Sequence, residues 1–282
     1  NMIEVQNINY SINKRQLLSQ VSFDFPSGKL LAIMGANGAG KSTLLKILSK
    51  ELPYQEGKIR LAHRNLNTYR SDELAQIRAV LAQQNTLAFE FKVDDLVMMG
   101  RYPHFTSRPN AQDRAIVEYC LNQTDIAHLA NRTVHTLSGG EQQRVYLAKV
   151  MAQLLDYESL FDKNYRSEQP KYLFLDEPVT GLDLFHQQQL LTTVKELTHK
   201  GFCVVAILHD LNLAMQFADS VLLLKKGKIV DYGVTQKVLQ PDSIHETFGI
   251  QVKLFQDSQL DYPFIIPFQE NIYHKTARIC QV

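Results

Sequence analysis

The sequence predicts an α/β protein in which a largely parallel sheet is preceded by an antiparallel β segment and interrupted by a helical insertion. Three observations carry that prediction. A continuous apolar run, Leu30 to Met34, enters a glycine-rich turn and is followed by helical character from Ser42 to Leu48. Two further apolar runs, Tyr172 to Leu175 and Phe202 to Leu208, flank a helical stretch around His186 to Thr198, the βαβ rhythm of a parallel sheet. Between about Asp94 and Leu155 strand-like runs are few, and Ile116, Tyr119 and Cys120 recur at helical spacing.

Taken in order, Ile3 and Val5, then Ile8 and Tyr10, alternate as in a half-buried strand. A second alternating segment, Val21-Ser-Phe23-Asp-Phe25, stops at Pro26-Ser-Gly28, so the chain opens as antiparallel β. Ala79 to Ala82 reads as a short strand. The polar stretch Asp156 to Lys171 reads as a solvated connection, and Val221 to Leu224 with Ile229 to Tyr232 as a hairpin turning at Gly227. Residues 2–242 are expected to form one domain, with a helical subdomain at about 94–155 and a C-terminal extension at 243–282. The aromatics of that extension, Phe248, Phe255, Tyr262, Phe264 and Phe268, are expected to pack against the domain.

Thirty Lys and Arg balance 29 Asp and Glu, so no whole-chain field points to nucleic acid or an anionic membrane. Cys120, Cys203 and Cys280 are far apart and match neither a disulfide framework nor a metal motif; buried apolar positions suit them better. No apolar run approaches the ~20 residues that span a bilayer, and nothing at the N-terminus has a signal-peptide pattern. A cytoplasmic protein, at most docked on a membrane, is the expectation.

The chemistry concentrates in three strings. Gly35-Ala36-Asn37-Gly38-Ala39-Gly40-Lys41-Ser42-Thr43 matches a phosphate-binding P-loop, with the required strand before it and helix after it. Its glycines let successive amides face phosphate oxygens, and the helix N-terminus adds partial positive charge. Lys41 is placed to bridge the β- and γ-phosphates of ATP, and the Ser42 hydroxyl to ligate Mg²⁺. Tyr172 to Leu175 ends in Asp176 and Glu177, as a Walker B strand does: Asp176 for Mg²⁺, Glu177 as general base toward the attacking water. Acids at a strand end are common; beside a P-loop they gain meaning.

The third string, Leu137-Ser138-Gly139-Gly140-Glu141-Gln142-Gln143-Arg144, precedes a helix and resembles the signature of the ABC ATPases. Ser138 and the two glycines can form an anion-binding nest at a helix N-terminus. The resemblance spans nearly the whole chain and implies a P-loop, RecA-like core and further site residues. Gln83 is similar to the Q-loop glutamine that contacts Mg²⁺ or the water, with Gln84 as a neighbouring rival and Ala82 where proline is common. Thr180-Gly181-Leu182-Asp183 is similar to the D-loop, where Ser-Ala-Leu-Asp is more usual. His209 resembles the switch histidine that reaches the γ-phosphate, and Tyr10 the aromatic that stacks on adenine, although a strand-end tyrosine equally serves packing.

The resemblance further implies a head-to-tail homodimer, each P-loop site completed by the partner's Ser138, Gly139, Gly140 and Glu141. Subunits with one cassette and no membrane span are typical of importers, peripheral on the inner face of the membrane beside a permease dimer that receives cargo from a substrate-binding protein. The segment Val97-Met-Met-Gly100-Arg101-Tyr-Pro103-His104 resembles the iron-siderophore, cobalamin and haem uptake group, and Ser138 to Leu154, with the extended polar insert before the Walker B strand, most resembles the haem importers. Siderophore or cobalamin import is the alternative. A nucleic-acid-directed ABC ATPase is disfavoured by the neutral charge balance, and a non-hydrolysing regulator by Glu177 and His209.

Overall fold

The computed structural model describes residues 2–83, 89–162 and 164–268. Its strands are β1 (Met2–Ile12), β2 (Arg15–Pro26), β3 (Lys29–Met34), β4 (Glu56–Leu61), β5 (Arg64–Asn65), β6 (Arg78–Leu81), β7 (Tyr172–Asp176), β8 (Cys203–Ile207), β9 (Ser220–Lys225), β10 (Lys228–Val234), β11 (Gln251–Phe255) and β12 (Phe264–Phe268). The helices are α1 (Lys41–Leu48), α2 (Ser71–Ile77), α3 (Val93–Met98), α4 (Ala111–Gln123), α5 (Gly139–Leu154), α6 (Leu184–His199), α7 (Leu211–Phe217), α8 (Thr235–Val238) and α9 (Pro241–Phe248).

The central sheet has the order β10-β9-β3-β8-β7-β6, parallel except for the β9–β10 hairpin. Successive residues of its inner strands alternate between two hydrophobic cores. Leu30, Ala32 and Met34 enter one core while Leu31 and Ile33 enter the other, and Leu173 and Leu175 part from Tyr172 and Phe174 in the same way. A strand covered on both faces needs apolar side chains in both directions, which is why these segments read as unbroken apolar runs. The second core also takes the inward side chains of an antiparallel sheet, order β2-β1-β4-β5.

Register brings the chemistry to one edge. Ile33 of β3 and Asp176 of β7 both lie beside Ile207 of β8, so the loops after all three strands leave the sheet together. Ligands of open parallel sheets bind at this carboxyl edge.

Between the neighbouring strands β6 and β7 the described chain is helical, with α5 packed against α3, α4 and β6. Ser138 starts α5 through a capping box: its hydroxyl accepts from the Glu141 amide at 3.3 Å, and its own amide donates to Glu141 Oε2 at 2.7 Å. The segment Asp156 to Lys171 is tied down more than its polar sequence predicts. Lys171 pairs with Asp156 at 3.1 Å, and the Ser159 carbonyl accepts from Lys200 at 2.6 Å.

Beyond Gly249, whose left-handed backbone (φ 73°) ends α9, β11 and β12 form a separate hairpin. Asn212 of α7 holds it by exchanging two bonds with the backbone of Ile265, at 2.8 and 3.1 Å. Here the expectation for the C-terminal aromatics needs correcting. Phe248 and Tyr262 pack on the core, whereas Phe255, Phe264 and Phe268 stand exposed with Ile266 on the hairpin's outer face. Strand alternation sends Val252, Leu254 and Ile265 inward. Cys120 and Cys203 are buried, as expected, and burial pushes both thiols up; Cys280 lies outside the described residues.

Candidate nucleotide site

The loop after β3 can exist only with glycine at two places. Gly35 has φ 154°, and a Cβ there would lie 2.1 Å from the Leu224 carbonyl oxygen. Gly40, the N-cap of α1, has φ 105°, and its Cβ would meet the Leu17 carbonyl at 2.8 Å. The tight path leaves the first-turn amides of α1 without intrahelical acceptors, facing outward from the sheet edge. A cavity of about 410 Å³ opens there, lined by Asn37, Gly38, Gly40, Lys41, Ser42 and Thr43 with Arg15, Leu17 and Glu177. Its size suits a small-molecule site.

Lys41 is buried and donates to the carbonyls of Gly35 and Ala36 at 2.8 and 3.1 Å. Burial lowers its pKa, against the opposing pull of Glu177 and Asp176. Ala39 is buried beneath the loop and bonds back to the Ala36 carbonyl at 3.1 Å. The Ser42 hydroxyl lies 3.4 Å from Asp176 Oδ1. Asp176, 6% exposed, has its carboxyl pushed up by burial first and by the charge of Glu177 second. A hydroxyl and a buried carboxylate, both hard oxygen donors beside a phosphate-sized opening, fit Mg²⁺, which keeps few protein ligands and completes its shell with phosphate and water.

Glu177 stands at the centre. Its Oε1 is 2.7 Å from His209 Nε2, and its Oε2 accepts from Gln83 Nε2 at 2.8 Å and from the Thr180 hydroxyl at 3.3 Å. The residue has φ 52°, a conformation uncommon for glutamate that turns its side chain into this group. Gln83 comes from the end of β6, Glu177 from the end of β7 and His209 from just beyond β8, so the parallel register assembles them. The rival Gln84 lies outside the described residues.

The remaining expected residues lie elsewhere. Tyr10 is 8% exposed, packed in the core beneath the antiparallel sheet, and does not line the cavity. Arg15 and Leu17 line it instead, from the start of β2, and sequence reasoning missed both; a basic residue at the β1–β2 turn was the available signal. Ser138 and Gly139 are exposed and, with Gly140 and Glu141, form no part of this cavity. Their helix touches the Glu177 segment from behind: Gln143 donates to the Pro178 carbonyl at 3.0 Å, and Gly140 faces Leu182. The Ser138 amide and hydroxyl hold the Glu141 carboxyl below the usual range. Asp183 caps α6 by accepting from the His186 amide at 2.9 Å, which lowers its pKa.

The ABC transporter family profile matches residues 18–156. A hemin import ATP-binding protein, HmuV, from Gloeobacter violaceus is 42% identical over 266 residues, which cover 94% of this chain and 94% of the relative. The chain belongs to the ABC transporter family. Another ABC protein, HmuV of Escherichia coli O157:H7, is 41% identical across 94% of this chain and 99% of its own length. Among solved ABC structures, a chain of a metal-chelate type transporter in an inward-facing conformation superposes with a TM-score of 0.75 at 26% identity, covering 95% of this chain and 97% of that one. A dimeric bacterial ABC cassette shares the fold, with a TM-score of 0.69, 24% identity and coverage of 83% and 98%.

Proposed function

We propose that this chain is the ATP-binding and hydrolysing subunit of an importer of haem, working through a separate membrane permease. The observation that carries the ATPase reading is the convergence of Gln83 and His209 on the Glu177 carboxylate beside the P-loop cavity. The cargo rests on hemin import relatives that match end to end.

In this reading the loop amides and Lys41 bind the triphosphate. Lys41 already has its ammonium at the loop on two carbonyls, so phosphate oxygens replace weak acceptors with charged ones. Ser42 and Asp176 would hold Mg²⁺, which when bound would neutralise charge on the transferred phosphoryl group. Glu177 accepts a proton from the attacking water, a contribution of roughly 10²–10⁴ in rate. Gln83 and Thr180 occupy Oε2 and His209 takes one acceptor site of Oε1, which leaves Oε1 a lone pair for the water. His209, partly exposed beside it, is placed to contact the γ-phosphate. Tyr10 would stack on adenine only after its ring leaves the core.

Ser138, Gly139, Gly140 and Glu141 present an exposed helix start away from their own cavity, which supports their acting on the site of a second copy. An isologous homodimer pairs the same two patches twice, and Leu182, the residue before Asp183, lies against Gly140 of the signature. Among the described residues no helix is long and apolar enough to cross a membrane. A permease dimer supplies the pore, a substrate-binding protein delivers to it, and this subunit sits on the inner face of the membrane. Ferric-siderophore or cobalamin cargo is the second reading; the metal-chelate type neighbour accords with it and with haem alike, since all three are metal chelates.

ATPase activity of the subunit reconstituted with its permease and binding protein decides between them. Hemin should stimulate phosphate release more than a ferric siderophore or cobalamin does; stimulation by either of those alone would overturn the haem reading.

A further inference from the structure

The three contacts of the Glu177 carboxylate differ in what holds them. Gln83 and His209 reach it from other strands, so any relative movement of those segments changes their distances. Thr180 belongs to Glu177's own turn. Its amide donates to the Glu177 carbonyl at 3.2 Å, closing a four-residue turn, and its hydroxyl lies 3.3 Å from Glu177 Oε2, the oxygen that Gln83 also bonds. The turn is braced from the signature helix by Gln143 on the Pro178 carbonyl and leaves through Gly181, whose φ of 78° suits glycine. The left-handed backbone of Glu177 aims the side chain, but a glutamate keeps three further torsions free. One short-range donor removes that freedom.

We propose that Thr180 is a positioning residue for ATP hydrolysis: its hydroxyl holds Glu177 Oε2, so that the carboxylate stays aimed at the phosphate cavity independently of any movement of the segments that carry Gln83 and His209. The inference rests on Glu177 being the general base. The hydroxyl needs no contact with nucleotide, so its loss should reach turnover and spare binding. Thr180 is exposed and its backbone bond survives substitution, so folding should be unaffected.

The test compares Thr180→Val, Thr180→Ser and Glu177→Gln, alone and combined, by phosphate release at saturating Mg-ATP, affinity for a fluorescent ATP analogue, and thermal midpoint. Thr180→Val should lower kcat by about tenfold, the order of one lost hydrogen bond to a charged group. Analogue affinity and midpoint should not move. Thr180→Ser should recover to within about twofold of the unsubstituted protein, and in the Glu177→Gln background Thr180→Val should cost nothing more. An undiminished kcat in Thr180→Val, with Glu177→Gln inactive, overturns the proposal and leaves the general base in place. Equal damage from valine and serine, or loss of affinity along with turnover, overturns it as well. Full activity in Glu177→Gln instead overturns the base and this inference together.

Discussion

Replacing Arg101 tests how the signature helix is anchored at its far end. Arg101 is 6% exposed and its partner Asp113 only 2%. The guanidinium donates to Asp113 Oδ1 at 2.9 Å and to the carbonyls of Ala152 and Leu155, at 2.7 and 3.0 Å, where α5 ends. Arg101→Met keeps much of the volume but leaves a carboxylate and two carbonyls short of their donor. Breaking one side of a buried pair costs roughly 3–5 kcal/mol. Asp113 retains the Asn110 amide at 3.0 Å, which favours the lower end of that range. At about 3 kcal/mol the melting temperature should fall by roughly 6–12 °C in a chain of this size. Urea denaturation and calorimetry measure both quantities. Adding Asp113→Asn removes the stranded charge and should recover at least half of the loss. A cost below about 1 kcal/mol for Arg101→Met, or a double variant less stable than the single one, would refute the reasoning.

Two other perturbations test the cavity itself. Burial raises the Asp176 carboxyl, so the folded state holds that proton more tightly than the unfolded one, and stability falls as pH rises through the carboxylate range. At neutral pH the ionised group therefore destabilises the nucleotide-free fold. Asp176→Asn should raise the melting temperature in EDTA while abolishing the stabilisation given by Mg-ATP; a lower midpoint in EDTA would contradict this. Gly35→Ala forces a Cβ against the Leu224 carbonyl, whereas Gly139→Ala meets nothing within 4 Å. Overpacking of that kind costs roughly 1–3 kcal/mol. Denaturant titration should show the Gly35 variant clearly destabilised and the Gly139 variant nearly unchanged, and equal stabilities would count against the loop geometry.

The parallel sheet was legible because β3, β7 and β8 divide their side chains between two cores, a demand that leaves an unbroken apolar run in the sequence. Glycines were legible for a related reason: at Gly35 and Gly40 backbone crowding admits nothing else. Side-chain direction was not legible. Tyr10 has the residue type for adenine stacking, yet its strand position turns it into the core, while Arg15 and Leu17 reach the cavity through a hairpin turn that carries no motif. Phe255, Phe264 and Phe268 face outward because pairing within a two-stranded hairpin fixes which alternate set goes inside, and scattered aromatics do not reveal that register. The contact between Thr180 and Glu177 depends on a left-handed glutamate that residue type alone disfavours.

Phosphate release by purified Glu177→Gln, measured beside the unsubstituted chain with ATP binding followed in parallel, tests the central claim most directly. The glutamine keeps the size and can still meet Gln83, Thr180 and His209, but it cannot accept the proton of the attacking water. Turnover should fall by about 100-fold or more while ATP remains bound. Turnover within twofold of the unsubstituted protein would show that the carboxylate at the tip of β7 is not the base of this ATPase.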